Sequence, residues 1–311
     1  MPIEHASVRV VHKPWGVSDL QPWSSVDGTS DAVGELWFER ADKNAQVPAL
    51  LLKLLFTSEP LSIQVHPDDT FARAMGMPNG KSEAWYIISA KPDAQIGVGL
   101  KHRVTPQQLR ASIADGSIAE LVEWRPVAKG DVIFIPAGTI HALGAGIVLA
   151  ELQQHSDATF RLFDYGRGRE LHEDNGVAVA HAWPLRSAGH PTQLTNERTV
   201  LVASRYFVFE KLDLAAGSSW ALQGEQETWI LVLDGHAAIG LAAVAVGQAV
   251  FLGGGRASIE VGANGLTALV AYPASAPIAS LLQTLGEASM NADPHAAGTV
   301  PELAALSEAR T

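Results

Sequence analysis

The sequence predicts a mainly β protein made of two β-barrels, the second a degenerate copy of the first. Short strand-like runs recur between Gly- and Pro-rich turns, and residues 61–66 alternate strictly between apolar and polar side chains. Residues 83–88 (Glu-Ala-Trp-Tyr-Ile-Ile) resemble residues 227–232 (Glu-Thr-Trp-Ile-Leu-Val), which indicates an internal repeat. Ser258 stands where the second copy would match His141, so only the first copy has the residues for metal chemistry. Chance similarity between two strand–turn units is the alternative.

Composition excludes several classes of function. The chain has 311 residues, 47% of them hydrophobic, and its 22 Lys and Arg against 33 Asp and Glu give a formal charge of -11. Nucleic-acid binding is disfavoured, because phosphate contacts need a basic surface. The absence of Cys excludes disulfides and thiolate metal sites. No signal peptide or apolar membrane span is recognisable, so we expect a cytoplasmic protein with no membrane partner.

The order of these runs predicts the domain boundaries. Residues 1–170 are expected to form the first barrel, with a small helical insertion at about 103–125. In that insertion Thr105 caps a helix, Pro106 takes its first position, and Gly116 ends it. Residues 171–195 are predicted to be a linker, 196–275 the degenerate second barrel, and 276–311 a C-terminal tail.

The strand at residues 61–66 carries two side chains able to bind a metal. Gln64 and His66 lie on the same face, because successive side chains of a strand point to opposite faces. Pro67 holds His66 in an extended conformation, and Asp68 is expected to cap a short helix. Taken alone, the segment also fits an amphipathic edge strand with a surface His.

Two further residues complete a candidate metal site. Glu83 opens the next strand, and His141 follows a sharp corner formed by residues 136–138, Pro-Ala-Gly. Two His side chains, a carboxylate and an amide oxygen suit Zn²⁺ or another divalent ion. The sequence therefore predicts Gln64, His66, Glu83 and His141 as metal ligands.

Three cations lie on the same segments. Lys53 interrupts the apolar run at residues 49–56, and Lys81 precedes Glu83 by two residues. Arg161 ends the run Ser-Asp-Ala-Thr-Phe-Arg at residues 156–161. In so acidic a chain, cations near a metal site indicate an anionic ligand such as a phosphate, although each of them alternatively neutralises a nearby acid. Glu151 is the candidate for proton transfer, and a structural partner of Arg161 or a Lys is its other interpretation.

The motifs together resemble the type I mannose-6-phosphate isomerase family in its short bacterial form. They are residues 61–68 (Leu-Ser-Ile-Gln-Val-His-Pro-Asp), 81–83 (Lys-Ser-Glu), 134–141 (Phe-Ile-Pro-Ala-Gly-Thr-Ile-His) and 151–161 (Glu-Leu-Gln-Gln-His-Ser-Asp-Ala-Thr-Phe-Arg). The resemblance is strong over about residues 7–170 and loose over 196–272. It implies cupin-type jelly-roll barrels, one zinc ion per chain, and interconversion of mannose 6-phosphate and fructose 6-phosphate through a cis-enediol.

The resemblance also implies roles for individual residues. It makes Gln64, His66, Glu83 and His141 the metal ligands, and it gives active-site roles to Arg161, Lys53 and Lys81. We expect Arg161, Glu151 and Lys81 to act in catalysis, and Lys53, Lys81 and Arg161 to bind a phosphorylated hexose. The oligomeric state does not follow from these motifs.

Two other functions fit parts of the pattern. A cupin with two His and one carboxylate is also typical of a non-haem Fe(II) oxygenase, but Gln64 as a fourth ligand and the three cations disfavour it. A catalytically silent sugar-phosphate sensor is the second alternative, and the complete ligand set together with Glu151 disfavours it.

Overall fold

The structure is a computed structural model that describes residues 3–26, 31–184 and 190–285. The predicted mainly β class is confirmed, because strands in three sheets make up about half of the described residues and the helices are few and short. The strands are β1 (Glu4–His5), β2 (Ser7–Val17), β3 (Val33–Glu39), β4 (Leu50–Phe56), β5 (Ile63–Val65), β6 (Glu83–Ala90), β7 (Gln95–Leu100), β8 (Val122–Pro126), β9 (Val132–Ile135), β10 (His141–Leu143), β11 (Ile147–Gln154), β12 (Phe160–Phe163), β13 (Thr192–Gln193), β14 (Arg198–Ala203), β15 (Val208–Leu214), β16 (Ser219–Ile239), β17 (Ala242–Ala245), β18 (Ala249–Tyr272) and β19 (Leu282–Thr284). The helices are α1 (Asp69–Ala74), α2 (Pro106–Asp115), α3 (Ile118–Leu121) and α4 (Glu173–Val179).

The first barrel is a sandwich of two antiparallel sheets. One has the strand order β2-β3-β4-β11-β6-β9, and the other has the order β12-β5-β10-β7-β8. Apolar side chains from both sheets form the core between them, including Trp85, Ile96 and Leu149. This arrangement is the cupin-type jelly roll that the sequence predicts.

Strand β4 explains why residues 49–56 are so apolar. All seven residues of β4 are buried, since the strand lies between the first core and a second core that faces the C-terminal half. Leu50, Leu52 and Leu54 pack in that second core, so Lys53 points the other way, into the first barrel. The charged Lys53 therefore occurs in this apolar run because its side chain is directed at a polar part of the sandwich interior.

Helices α1 and α2 have the caps that the sequence predicts. Asp68 caps α1 through a hydrogen bond from the backbone N–H of Phe71, 2.8 Å. Thr105 and Gln108 form a capping box at α2, and Gly116 ends this helix with a left-handed φ of 82°. The sequence favours a second short helix at residues 117–124, but α3 ends at Leu121, because residues 122–126 form β8 and pair with β7.

The segment predicted to be a linker contains structure of its own. Helix α4 packs against β5 and β12, and the backbone of His181 bridges to that of Thr139, beside the corner that precedes His141. Gly176 lies in this helix because a Cβ there would come within 2.2 Å of Leu162. Residues 185–189 of that segment lie outside the described residues.

The second barrel is one extensively bent sheet. Strand β16 pairs with β18 along both of its edges, so that Trp229 faces both Phe251 and Ala271. Strand β19, in the segment predicted as the tail, extends this sheet by pairing with β16, and Leu281 is buried in its core. Residues 286–311 of the predicted tail lie outside the described residues. Within the described chain, no helix combines the length and apolar character that a membrane crossing needs.

Candidate metal centre and active site

The predicted metal ligands converge inside the first barrel. Gln64 lies in β5 directly opposite His141, the first residue of β10, and His66 follows β5 immediately. Glu83 is the first residue of β6, in the facing sheet. The ligand atoms of His66, Glu83 and His141 all lie within 4.8 Å of one another, and all three residues are buried.

Backbone carbonyls fix the orientation of both imidazoles. Nδ1 of His66 lies 2.8 Å from the carbonyl oxygen of Ala158, and Nδ1 of His141 lies 2.9 Å from that of Thr139. A carbonyl only accepts, so each Nδ1 donates and each Nε2 keeps a lone pair for a metal. Burial, together with the nearby Lys81 ammonium, lowers the pKa of His66 to about 3, and burial also lowers the pKa of His141. Both rings are therefore neutral, the form that binds metals.

Glu83 supplies a carboxylate between the two rings. Its Oε2 lies 3.3 Å from Nε2 of His66, and its Oε1 lies 3.3 Å from Nε2 of His141. The side chain is fully buried, and neither of its oxygens nor Nε2 of His66 has a hydrogen-bond partner within the described residues. Buried polar atoms without partners are costly, and two lone-pair nitrogens with a carboxylate are the donors that a divalent transition metal takes. The residues present therefore fit a metal ion.

The amide of Gln64 lies at the open side of this group. Its Nε2 is 3.3 Å from Nε2 of His141. Rotating the amide by 180° exchanges its nitrogen and oxygen, and then directs an oxygen lone pair to the same place. The structure thus brings together all four side chains that the sequence predicts as ligands.

Lys81 lies beside the carboxylate. Its Nζ is 3.3 Å from Oε2 of Glu83, and the side chain is buried. Burial alone would lower the pKa of Lys81, but the carboxylates of Glu83 and Glu151 outweigh it and raise the pKa above its usual value. Burial would likewise raise the pKa of Glu83, yet the Lys81 ammonium holds it well below the usual range. The pair is therefore a buried ammonium and carboxylate.

A polar cavity of about 250 Å³ opens onto this centre. Gln64 and His141 line it, and so do five cations and three carboxylates, here called the cavity charges. They are Lys13, Lys53, Lys81, Arg161, Arg169, Glu35, Glu151 and Asp157. A larger cleft of about 910 Å³, lined by Tyr86 and Lys211 among others, contains none of the predicted site residues. Chemistry rather than size therefore identifies the smaller cavity as the site.

Lys53 and Glu151 form a buried pair across two adjacent strands. They are register partners on β4 and β11, with Nζ 3.0 Å from Oε1 of Glu151 and 2.7 Å from Oε1 of Gln153. The Trp37 ring lies 4.5 Å from the same ammonium. Burial raises the pKa of Glu151, Lys53 opposes the rise, and the nearby charge of Glu83 adds to it. A carboxylate with a raised pKa beside a metal centre is typical of proton-transfer residues.

Arg161 faces the cavity from β12, opposite Gln64. Its Nη1 donates to the carbonyl oxygen of Glu170, 2.7 Å, whereas its buried Nε has no hydrogen-bond partner within the described residues. Burial and the neighbouring Arg169 lower the pKa of Arg161, but a guanidinium stays charged at any physiological pH. Arg161 therefore presents a cation with spare donor capacity to the cavity.

The sequence interpretation missed four of the cavity charges: Lys13, Glu35, Asp157 and Arg169. Arg169 is held by Asp164, with Nε 2.7 Å from Oδ2. Glu35 accepts a 2.6 Å hydrogen bond from Nε1 of Trp37, and its signal was a charged residue inside an otherwise apolar strand. Lys13 and Asp157 carried no comparable signal, because their approach to the cavity depends on how the strands pair.

A jelly roll with a buried His–Glu–His group and an adjoining polar cavity defines a metal-binding cupin-type protein. The chain matches no model of a known protein family. It is 31% identical over 265 residues to mannose-6-phosphate isomerase of Streptococcus mutans, covering 73% of this chain and 83% of that protein. It is also 35% identical over 218 residues to mannose-6-phosphate isomerase ManA of Bacillus subtilis, covering 66% of this chain and 69% of that protein.

Solved structures agree with these relatives. The crystal structure of mannose 6-phosphate isomerase from Bacillus subtilis superposes with a TM-score of 0.76 at 25% identity, over 86% of this chain and 98% of that one. A zinc-bound mannose 6-phosphate isomerase shares the fold, with a TM-score of 0.68 at 15% identity over 88% and 99% of the two chains. The chain belongs to the mannose-6-phosphate isomerase family and is an enzyme.

Proposed function

We propose that this enzyme interconverts mannose 6-phosphate and fructose 6-phosphate, with one zinc ion per chain. The observation that carries the proposal is the buried His66–Glu83–His141 group at the end of a cavity with more cations than carboxylates. An isomerase of this kind needs a cation near the carbonyl end of its substrate and positive charge for the phosphate. The names of the relatives give the sugar.

His66, Glu83 and His141 would hold the zinc, with Gln64 as the fourth ligand. When bound, the ion would supply Lewis acidity towards the oxygens at the carbonyl end of the sugar. Ala158 and Thr139 keep the imidazoles in the required tautomer through their carbonyl oxygens.

Glu151 is the proposed base that moves the proton between C1 and C2. Lys53 holds its carboxylate at 3.0 Å and thereby fixes its direction. Lys81 and Arg161 are proposed to stabilise negative charge that develops on the sugar oxygens, since both line the cavity. Lys53, Lys81 and Arg161 also make the cavity favourable for a phosphorylated hexose.

All side chains that line the cavity belong to residues 13–169. We therefore keep the proposed division into a catalytic barrel (residues 1–170, insertion at about 103–125), a connecting segment (171–195), a second barrel (196–275) and a terminal segment (276–311). The second barrel supports the first through the apolar core that they share. Within the described residues, it holds no group of three or more His, Asp and Glu placed to share a metal.

The test is a coupled assay for fructose 6-phosphate formed from mannose 6-phosphate, together with metal analysis of the purified protein. We expect turnover that is lost after chelation and restored by added Zn²⁺. A protein that binds mannose 6-phosphate without turning it over would instead be a sensor. Bound iron with oxygen consumption and no isomerisation would favour the oxygenase.

A further inference from the structure

Lys13 differs from the other cations of the cavity in how little it is engaged. Its Nζ lies 3.4 Å from Oε1 of Glu35 and makes no hydrogen bond to the described residues. The ammonium groups of Lys53 and Lys81 are buried beside carboxylates, and Arg169 is held by Asp164. Arg161 has an unpartnered Nε, but its Nη1 donates to the carbonyl oxygen of Glu170. The side chain of Lys13 is 32% exposed, so it stands at the mouth of the cavity rather than within its wall.

Glu35, the ion-pair partner of Lys13, has other contacts that compensate its negative charge. Glu35 also accepts a 2.6 Å hydrogen bond from Nε1 of Trp37 and lies 3.8 Å from Nζ of Lys53. If Lys13 turns towards another anion, the buried Glu35 carboxylate therefore keeps the hydrogen bond from Trp37 and the nearby positive charge of Lys53, and is not left unpaired. The Lys13 ammonium can exchange partners without the large cost of stranding a buried charge.

The backbone directs the stem of Lys13 to this place. Gly34 packs flat against it, because a Cβ at this position would lie 2.6 Å from Cβ and Cγ of Lys13 and 2.8 Å from Cζ3 of Trp15. Trp15 lines the same cavity. The aliphatic part of Lys13 is thus packed against Gly34 of β3, while its ammonium group contacts Glu35 and is partly exposed.

Lys13 also lies at the far side of the sheet from the metal ligands. Glu83 is on β6, and the sheet continues through β11 and β4 to β3 and then to β2, which carries Lys13. Adjacent strands are about 4.8 Å apart, so four strand spacings separate the two backbones by roughly 19 Å along the sheet. A long side chain reaching back from β2 therefore meets the end of a bound substrate that is remote from the metal.

We propose that Lys13 binds the phosphate group of the sugar-phosphate substrate and selects for phosphorylated sugars. This inference rests on the proposed function and adds a specificity-determining residue to it. Substrate phosphate displaces Glu35 from the Lys13 ammonium and accepts a charge-assisted hydrogen bond in its place. Because this contact is equal in the ground state and the transition state, it strengthens substrate binding without changing the chemical step.

The experiment compares Lys13→Met, which keeps the stem, with the wild type and with Lys13→Arg. A charge-assisted hydrogen bond corresponds to about a 10- to 100-fold change in affinity. We expect Lys13→Met to raise KM for mannose 6-phosphate by that factor with kcat nearly unchanged, and to weaken competitive inhibition by inorganic phosphate equally. Lys13→Arg should restore most of the affinity. Turnover of unphosphorylated mannose should be unaffected.

Lys43→Met is the matched control, since Lys43 is an exposed cation that pairs with Glu39 after β3. It removes the same charge and should leave KM unchanged. An unchanged KM in Lys13→Met, or an equal loss towards mannose and mannose 6-phosphate, overturns the inference. If the wild type does not isomerise mannose 6-phosphate, the proposed function fails separately. Calorimetric titration with inorganic phosphate then still decides whether Lys13 binds the anion.

Discussion

Replacing Glu83 by Gln is the sharpest test of the metal centre, because it changes charge while keeping shape. Glu83 is fully buried, and each of its oxygens lies 3.3 Å from an imidazole nitrogen. Loss of an outer partner of a metal ligand commonly costs 10- to 100-fold in metal affinity, so loss of a direct anionic ligand should cost more than about 100-fold. We expect the variant to be purified with little metal and to be inactive.

The same substitution should destabilise the metal-free protein, since it leaves Lys81 without its closest carboxylate. Breaking a buried ion pair by removing one partner costs about 3–5 kcal/mol. At about 2–4 °C per kcal/mol, this corresponds to a fall in Tm of roughly 6–20 °C. The double variant Lys81→Met/Glu83→Gln removes both charges, so it should recover most of the stability without recovering the metal.

The assays are metal analysis by mass spectrometry, thermal unfolding after chelation, and the coupled isomerase assay. Chelated samples are compared so that metal binding does not add to the stability of the wild type. The reasoning fails if Glu83→Gln retains one metal per chain and activity within tenfold of the wild type. It also fails if the double variant is no more stable than the single one.

Three further outcomes are expected. His141→Ala should lose both metal and isomerase activity, and full activity in metal-free protein would contradict the Lewis-acid role. Glu151→Gln should keep its metal but lose about 10²–10⁴-fold in kcat. Burial raises the pKa of Glu151 above its usual value, and a base must be ionised to accept a proton. Wild-type kcat/KM should therefore fall as the pH drops through that raised pKa. The residual activity of Glu151→Gln should lack this fall at low pH. Glu227→Gln should lower the free energy of unfolding by about 1–3 kcal/mol, because Glu227 accepts hydrogen bonds from the backbone N–H groups of Ala49 and Leu50 at 2.6 and 3.0 Å. An unchanged midpoint of chemical unfolding would refute this.

The candidate metal ligands were predictable because their placement depends largely on local geometry. Strand alternation places Gln64 and His66 on one face, and the Pro–Gly corner fixes the start of the strand that His141 opens. Glu83 opens the next strand along the chain, and the resemblance to the family supports the complete set. Fold class followed for similar reasons, since turns and alternation are read over a few residues.

The missed residues depend on pairing between distant strands. Glu35 and Lys13 reach the cavity only because β2, β3 and β4 pair in a particular register, which a single sequence does not reveal. Helix α4 was hidden for a different reason. Gly176 has low helix propensity, and the close packing of Leu162 that requires it becomes visible only in three dimensions.

The Glu-x-Trp pattern occurs once in each barrel, at residues 83–85 and 227–229, and the two Glu side chains make different contacts. Glu83 faces the metal centre, whereas its counterpart Glu227 grips the first residues of β4, the strand that carries Lys53. Nε1 of Trp229 donates to Glu227 at 3.0 Å, but Nε1 of Trp85 has no such partner among the described residues. The corresponding position of the pattern therefore faces the candidate metal group in one barrel and binds backbone N–H groups of the other barrel in the second.

The apolar core between the six-stranded sheet and β14–β18 limits how far this enzyme can be shortened. Phe38 and Leu52 from the N-terminal half pack there with Phe209 and Trp229 from the C-terminal half. A fragment ending near residue 195 would retain all residues that line the candidate catalytic cavity. It would also expose to solvent the leucine-rich face of the six-stranded sheet, which the second barrel covers. Exposed apolar surfaces of this size promote self-association, so the shortened enzyme would need polar substitutions on β4 to prevent aggregation.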